Sequence, residues 1–133
     1  ARVTCLSQRK VLHVDIDDTT CALLEFDCGL TGYLATLFAT PLTSQLRVSG
    51  TLGSAVAEQD FTRLIKTTSE GEQHVIPLDD SDSVVAEIQA FANSCTKGKP
   101  YPVTLQQAVH NVAVVSAMLN SSEAEGAWTE VGR

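Results

Sequence analysis

Basic residues are scarce in this 133-residue chain: nine Lys and Arg stand against sixteen Asp and Glu, a formal net charge of −7. A surface of that sign repels phosphate backbones, so no nucleic-acid partner is expected. Long apolar runs are missing too, and no stretch approaches the roughly 20 residues that a membrane-crossing helix needs. The first residues are too polar for the apolar centre of a secretory leader, and the expected location is cytoplasmic, with no membrane partner. The four cysteines, Cys5, Cys21, Cys28 and Cys95, form no C-x-x-C pair and show no metal-ligand spacing. They are expected as free, small, half-buried hydrophobes. Glycines at 29, 32, 50 and 53 never form G-x-G-x-x-G, which excludes a dinucleotide cradle of that kind. Methionine occurs once, at Met118, and the chain opens at Ala1, which fits a piece of a longer protein.

What is present suits one soluble domain covering residues 1–133. The hydrophobic fraction of 44% is ordinary for a globular protein. At this size folding hides roughly two thirds of the unfolded chain's surface. Up to about residue 80, runs rich in Val, Thr, Leu and Phe alternate with Gly-centred turns. Strands are expected near Val3–Arg9, Thr20–Asp27, Thr31–Thr40, Gln45–Gly50, Ser54–Gln59, Thr62–Thr68 and Gln73–Pro77. Their short connections, such as Gly50-Thr51-Leu52-Gly53, join only antiparallel neighbours.

The period then changes. Asp80 or Ser81 is expected to cap a helix whose apolar positions are Val84, Val85, Ile88, Phe91, Ala92 and Cys95, and Gly98 with Pro100 to end it. Thr104-Leu105-Gln106-Gln107 has the form of a capping box. The helix after it carries Leu105, Ala108, Val109, Val112, Val115 and Leu119 along one stripe, and is apolar elsewhere at Ala113, Val114, Ala117 and Met118. A helix apolar all round is normally buried all round. Part of this surface is therefore expected to meet another subunit or a further domain. The fold class is α+β: an open-faced, mostly antiparallel sheet of about six to seven strands with two helices packed on one face.

The most catalytic-looking string is His13-Val14-Asp15-Ile16-Asp17-Asp18-Thr19. It matches the D-x-D-x-T pattern of haloacid-dehalogenase-type phosphatases, in which Asp15 would be the nucleophile and Asp17 the acid/base beside Mg²⁺. That chemistry needs a buried parallel strand followed by a helix, whereas Thr20–Asp27 continues as β. A solvated acidic turn is the simpler expectation. His13, His74 and His110 are spaced as surface residues, not as metal ligands.

Several segments in order carry a family resemblance. The string from Asp18-Thr19 through Leu23-Leu24-Glu25-Phe26 to Gly29 and Gly32-Tyr33-Leu34 resembles the strands that open the C-terminal domain of the glucose–fructose oxidoreductase/inositol dehydrogenase (Gfo/Idh/MocA) family. Leu46-Arg47-Val48-Ser49-Gly50-Thr51-Leu52-Gly53 is similar to its "L-x-V-x-G-x-x-G" hairpin, and Glu87-Ile88-Gln89-Ala90-Phe91 to its "E-I-x-x-F" helix. Tyr101–Thr104 through Gly126–Val131 is similar to its closing helix.

The resemblance implies a two-domain NAD(P)-dependent sugar or polyol oxidoreductase. Its N-terminal Rossmann domain would hold NAD(P) and the catalytic groups upstream of Ala1, leaving no catalytic, cofactor or metal residue here. The present residues would then supply one wall of the substrate cleft and an oligomer contact through the sheet face. In the stretch Thr40-Pro41-Leu42-Thr43-Ser44, Pro41 and Leu42 depart from the Tyr or charged groups of polyol-binding members. Thr40 and Thr43 remain as hydroxyl donors toward a substrate. The alternatives are a stand-alone binding or scaffold module and, from another class, a Mg²⁺-dependent phosphatase using Asp15 and Asp17.

Overall fold

The computed structural model describes residues 1–78 and 82–132. Eight strands and two helices follow in the order β1 (Arg2–Gln8), β2 (Thr19–Glu25), β3 (Thr31–Leu37), β4 (Leu46–Gly50), β5 (Gly53–Glu58), β6 (Arg63–Thr68), β7 (Gln73–Pro77), α1 (Ser83–Lys97), α2 (Leu105–Glu123) and β8 (Thr129–Glu130). The class is α+β as expected, and every strand pairing is antiparallel. The strands hydrogen-bond as two four-stranded sheets, β3-β2-β1-β8 and β4-β5-β6-β7. The eighth strand, only two residues long, has no periodicity for a sequence to show. The chain divides into two compact units at the same places: one holds Ala1–Thr40 with the residues from Tyr101 on, the other Pro41–Pro100.

In the first unit α2 lies along β1 and β8. The core is Val3, Cys5, Ala22 and Ala117, with Leu24, Met118 and Val131 packed against it. Strand alternation explains the membership. Val3 pairs with Leu24 and Cys5 with Ala22 across the β1–β2 register, so all four point to the helix side. The helix meets the sheet through Ala113, Val114, Ala117, Met118, Ser121 and Ser122, which are buried or half-buried. The stripe of Leu105, Val109, Val112, Val115 and Leu119 is exposed. The expected stripe is thus the outward one, and the residues set down as lying off it make the contact. The small side chains of Ala117 and Ser121, both buried, let the helix approach β1 closely.

That closeness has a second use. β8 pairs with β1 only at Arg2 and Val3, so the next outward amides of β1 have no strand partner there. Two hydroxyls of α2 stand in for one: Cys5 N–H donates to Ser121 Oγ at 2.9 Å and Ser7 N–H to Ser122 Oγ at 2.9 Å. Ser121 Oγ in turn donates to Ala127 O at 2.6 Å. Buried backbone donors are almost always paired, and here a helix completes a sheet edge.

In the second unit Val56 of β5 is buried, flanked in register by Arg47 and Ile65. Gly53 opens β5 at φ +135°, and a Cβ there would sit 2.1 Å from Thr67 O, so only glycine fits. The α1 N-cap is Asp82, whose carboxylate accepts from Val84 and Val85 N–H. The expected caps Asp80 and Ser81 lie outside the described residues. Gly98 ends α1 in the left-handed conformation, and Thr104 with Gln107 caps α2 reciprocally, both as the sequence indicates. Helix α1 buries none of its residues.

Candidate functional site

Thr40 and Thr43 lie on the exposed connection after β3. Thr40 closes the first unit and Thr43 belongs to the second. The Thr40 hydroxyl donates to Leu37 O at 3.0 Å, so its proton is committed to the end of β3. The expected donor role is therefore already used within the chain.

The acidic string forms the connection between β1 and β2, an antiparallel pair. This is the reverse of the parallel strand-then-helix setting that the phosphatase pattern needs. Asp15 is exposed and paired to Arg9, Nη1 to Oδ1 at 3.2 Å, and no group of three His, Cys, Asp or Glu among the described residues is placed to hold a metal. His13, His74 and His110 are all exposed.

Asp18 differs from its neighbours in being buried, at 3% exposure. Its Oδ2 accepts from the N–H groups of Leu12 and Val11 at 2.7 and 2.8 Å. Its Oδ1 accepts from Lys10 N–H at 3.0 Å and from the Thr19 hydroxyl at 2.9 Å. The backbone donors, Leu12 foremost and then Lys10 and Val11, hold the carboxyl far below the usual carboxylate range because they bind only its charged form well. The family resemblance puts Asp18-Thr19 at the opening of a strand, and β2 begins at Thr19. The buried latch leaves no signature, since it depends on the path of eight residues before it.

The cysteines depart from the expected half-burial: Cys5 is buried, while Cys21, Cys28 and Cys95 are exposed, and all four are free. Burial, and secondarily the neighbouring Cys21, pushes the Cys5 thiol pKa up, which makes it a poor nucleophile.

Opposite α2, the first sheet turns an apolar face outward. Register places Leu6, Cys21, Leu23, Tyr33, Ala35 and Leu37 together there, and Leu6, Leu23, Tyr33 and Leu37 are each at least half exposed. A shallow groove of about 440 Å³ crosses this face. At one end Arg2 pairs with Glu25, Nη2 to Oε2 at 2.7 Å, and its guanidinium lies 4.8 Å from the Trp128 ring centre. Register puts Arg2, Thr4, Gln8, Thr19, Glu25 and Thr31 on the same face, so the apolar residues form a patch among polar ones.

A sequence model of the oxidoreductase family's C-terminal alpha/beta domain, GFO_IDH_MocA_C, matches residues 3–131. The chain belongs to this family. Among curated proteins it is 28% identical over 114 residues to D-xylose 1-dehydrogenase (NADP(+)) 2 of Haloferax volcanii, covering 81% of this chain and 35% of that protein. Among solved structures it superposes on an Agrobacterium radiobacter oxidoreductase in complex with NAD+, L-tartaric acid and magnesium. The TM-score is 0.80 at 22% identity, over 99% of this chain and 43% of that one. It also superposes on an aldose-aldose oxidoreductase from Caulobacter crescentus complexed with glycerol, with TM-score 0.78 at 15% identity, over 97% and 40% of the two chains. These structures share the fold, and the Gfo/Idh/MocA domain spans less than half the length of each relative.

At the helix starts, the Asp82 carboxylate accepts from the Val84 and Val85 N–H groups of α1, and the Thr104 hydroxyl accepts from the Gln107 N–H of α2.

Proposed function

We propose that this domain is the substrate-cleft wall and oligomerisation half of an NAD(P)-dependent sugar or polyol oxidoreductase, with hydride transfer performed by residues outside it. The observation that carries the reading is the family match over residues 3–131, together with a pentose dehydrogenase as a relative. NAD(P) would sit in an N-terminal Rossmann domain of the same polypeptide, the proposed intramolecular partner. Thr40 and Thr43 would meet substrate hydroxyls, since clefts at domain boundaries are the usual home of such ligands. The apolar face of Leu6, Leu23, Tyr33 and Leu37 supports a homo-oligomer contact, because apolar patches of this kind mark interaction surfaces.

The test uses the full-length protein with aldoses and polyols, following nicotinamide reduction. Thr40→Val and Thr43→Val each raise KM by about 2- to 10-fold, the worth of one net hydrogen bond, with kcat nearly unchanged. Leu23→Arg with Tyr33→Glu lowers the light-scattering mass to that of one chain. No reduction of NAD+ or NADP+ with any sugar or polyol, from a folded full-length protein, refutes the oxidoreductase reading. An unchanged mass refutes the interface.

A further inference from the structure

Asp18 joins two segments through different atoms. Its carboxylate gathers three successive amides of the β1–β2 connection, Lys10, Val11 and Leu12, while its own N–H donates to Gln8 O at 3.1 Å and its carbonyl accepts from Phe38 N–H at 2.8 Å. The bond to Phe38 continues the β2–β3 ladder one step past the Thr19–Leu37 pair. Two residues beyond Phe38 comes Thr40, whose hydroxyl is tied back to Leu37 O. Asp18 is therefore separated from Thr40 by one backbone hydrogen bond and a single tight turn. An exposed connection ordinarily leaves its amides to water, and convergence of three of them on a buried acid removes that freedom.

We infer that Asp18 is a positioning residue, which locks the β1–β2 connection to the segment after β3 so that both present one rigid wall to the substrate. The inference rests on the proposed role of Thr40. The geometry separates the two, because the lock acts on amides whether or not Thr40 touches a ligand. Asp18 acts through its main-chain carbonyl, which accepts from Phe38 N–H and is held in place by the grip of the carboxylate on Lys10, Val11 and Leu12.

The experiment compares Asp18→Asn, Asp18→Gly and Thr40→Val in the full-length protein, by amide hydrogen exchange and by sugar kinetics. Asn keeps the shape but turns an amide NH₂ toward donors. Gly leaves a carboxylate-sized vacancy that added formate fills. In both Asp18 variants, exchange at Lys10, Val11, Leu12 and Phe38 rises about 10-fold or more, as local opening replaces a fixed loop. KM rises by about 10-fold with kcat within about 2-fold, the signature of lost binding geometry. Formate restores protection and KM in Asp18→Gly, and not in Asp18→Asn. Thr40→Val raises KM and leaves Phe38 exchange unaltered. If Phe38 stays protected while Lys10, Val11 and Leu12 open, the lock ends at the connection and the inference is overturned. Unaltered KM in Thr40→Val sinks the substrate role of Thr40 alone, and Phe38 exchange still decides for or against Asp18.

Discussion

Replacing Ser121 by alanine tests the idea that a helix stands in for a missing strand. Ser121 is 0% exposed, and its hydroxyl does two jobs: it accepts the Cys5 amide at 2.9 Å and donates to Ala127 O at 2.6 Å. Alanine fits the space, so no clash complicates the result. It leaves the Cys5 N–H facing a methyl group, with β8 ending at the Val3 pairing and Cys5 itself 2% exposed. An orphaned buried donor costs about 1–3 kcal/mol. For a chain of this length, intermediate between the usual small and large classes, that is roughly a 3–15 °C fall in Tm.

Ser122→Ala is the internal control. Its hydroxyl makes the same kind of bond to Ser7 N–H at 2.9 Å, but both residues are only half-buried, so water replaces what is lost and the cost is about 0.5 kcal/mol. Scanning calorimetry on the two variants, with amide exchange at Cys5, gives the comparison. Equal small losses for both, with Cys5 protection intact, would mean that the hydroxyls merely occupy the edge and do not complete it.

Further outcomes follow from the same geometry. Gly53→Ala forces a Cβ to within 2.1 Å of Thr67 O at φ +135° and destabilises by about 2 kcal/mol or more. Gly29→Ala, at φ +84° in open space, costs about 1 kcal/mol; denaturant midpoints separate the two. The Asp18 carboxyl has its folded pKa lowered, so its stabilisation is fully present above the unfolded value of about 4 and is lost as pH falls below it. Asp18→Asn then flattens the acid limb of the stability–pH curve, and a limb identical to wild type would refute the linkage. A thiol reagent at neutral pH modifies Cys21, Cys28 and Cys95 quickly and Cys5 only on unfolding, because Cys5 alone is buried with a raised pKa. Four equal rates would contradict the packing at β1.

Turns and caps were the most legible part of the sequence because their chemistry is local. Thr104 and Gln107 bond each other's backbone three residues apart, Gly98 needs only its own missing Cβ, and the observed strands lie within a few residues of those expected because each is bounded by its own turn. β8 was invisible for the opposite reason. Thr129 and Glu130 are a strand only because β1 is beside them. Asp18 escaped likewise: its partners are six to eight residues back, too far for a turn rule and too near for a domain-level pattern.

Helix α2 shows where periodicity stops being informative. Its two apolar rows both have helical spacing, and hydrophobicity alone favours the row of Leu105, Val109, Val112, Val115 and Leu119 as the buried one. Distance decides otherwise. Ser121 and Ser122 reach β1 amides at 2.9 Å, which holds that end of the helix close to the strand, with Ala117 and Ser121 buried and Ala113, Val114 and Met118 half-buried on the same side. These contacts, and not hydrophobicity alone, choose the inner row. The row that looked like core and the apolar patch across the sheet are both exposed, and both belong to the surface for which an interface is proposed.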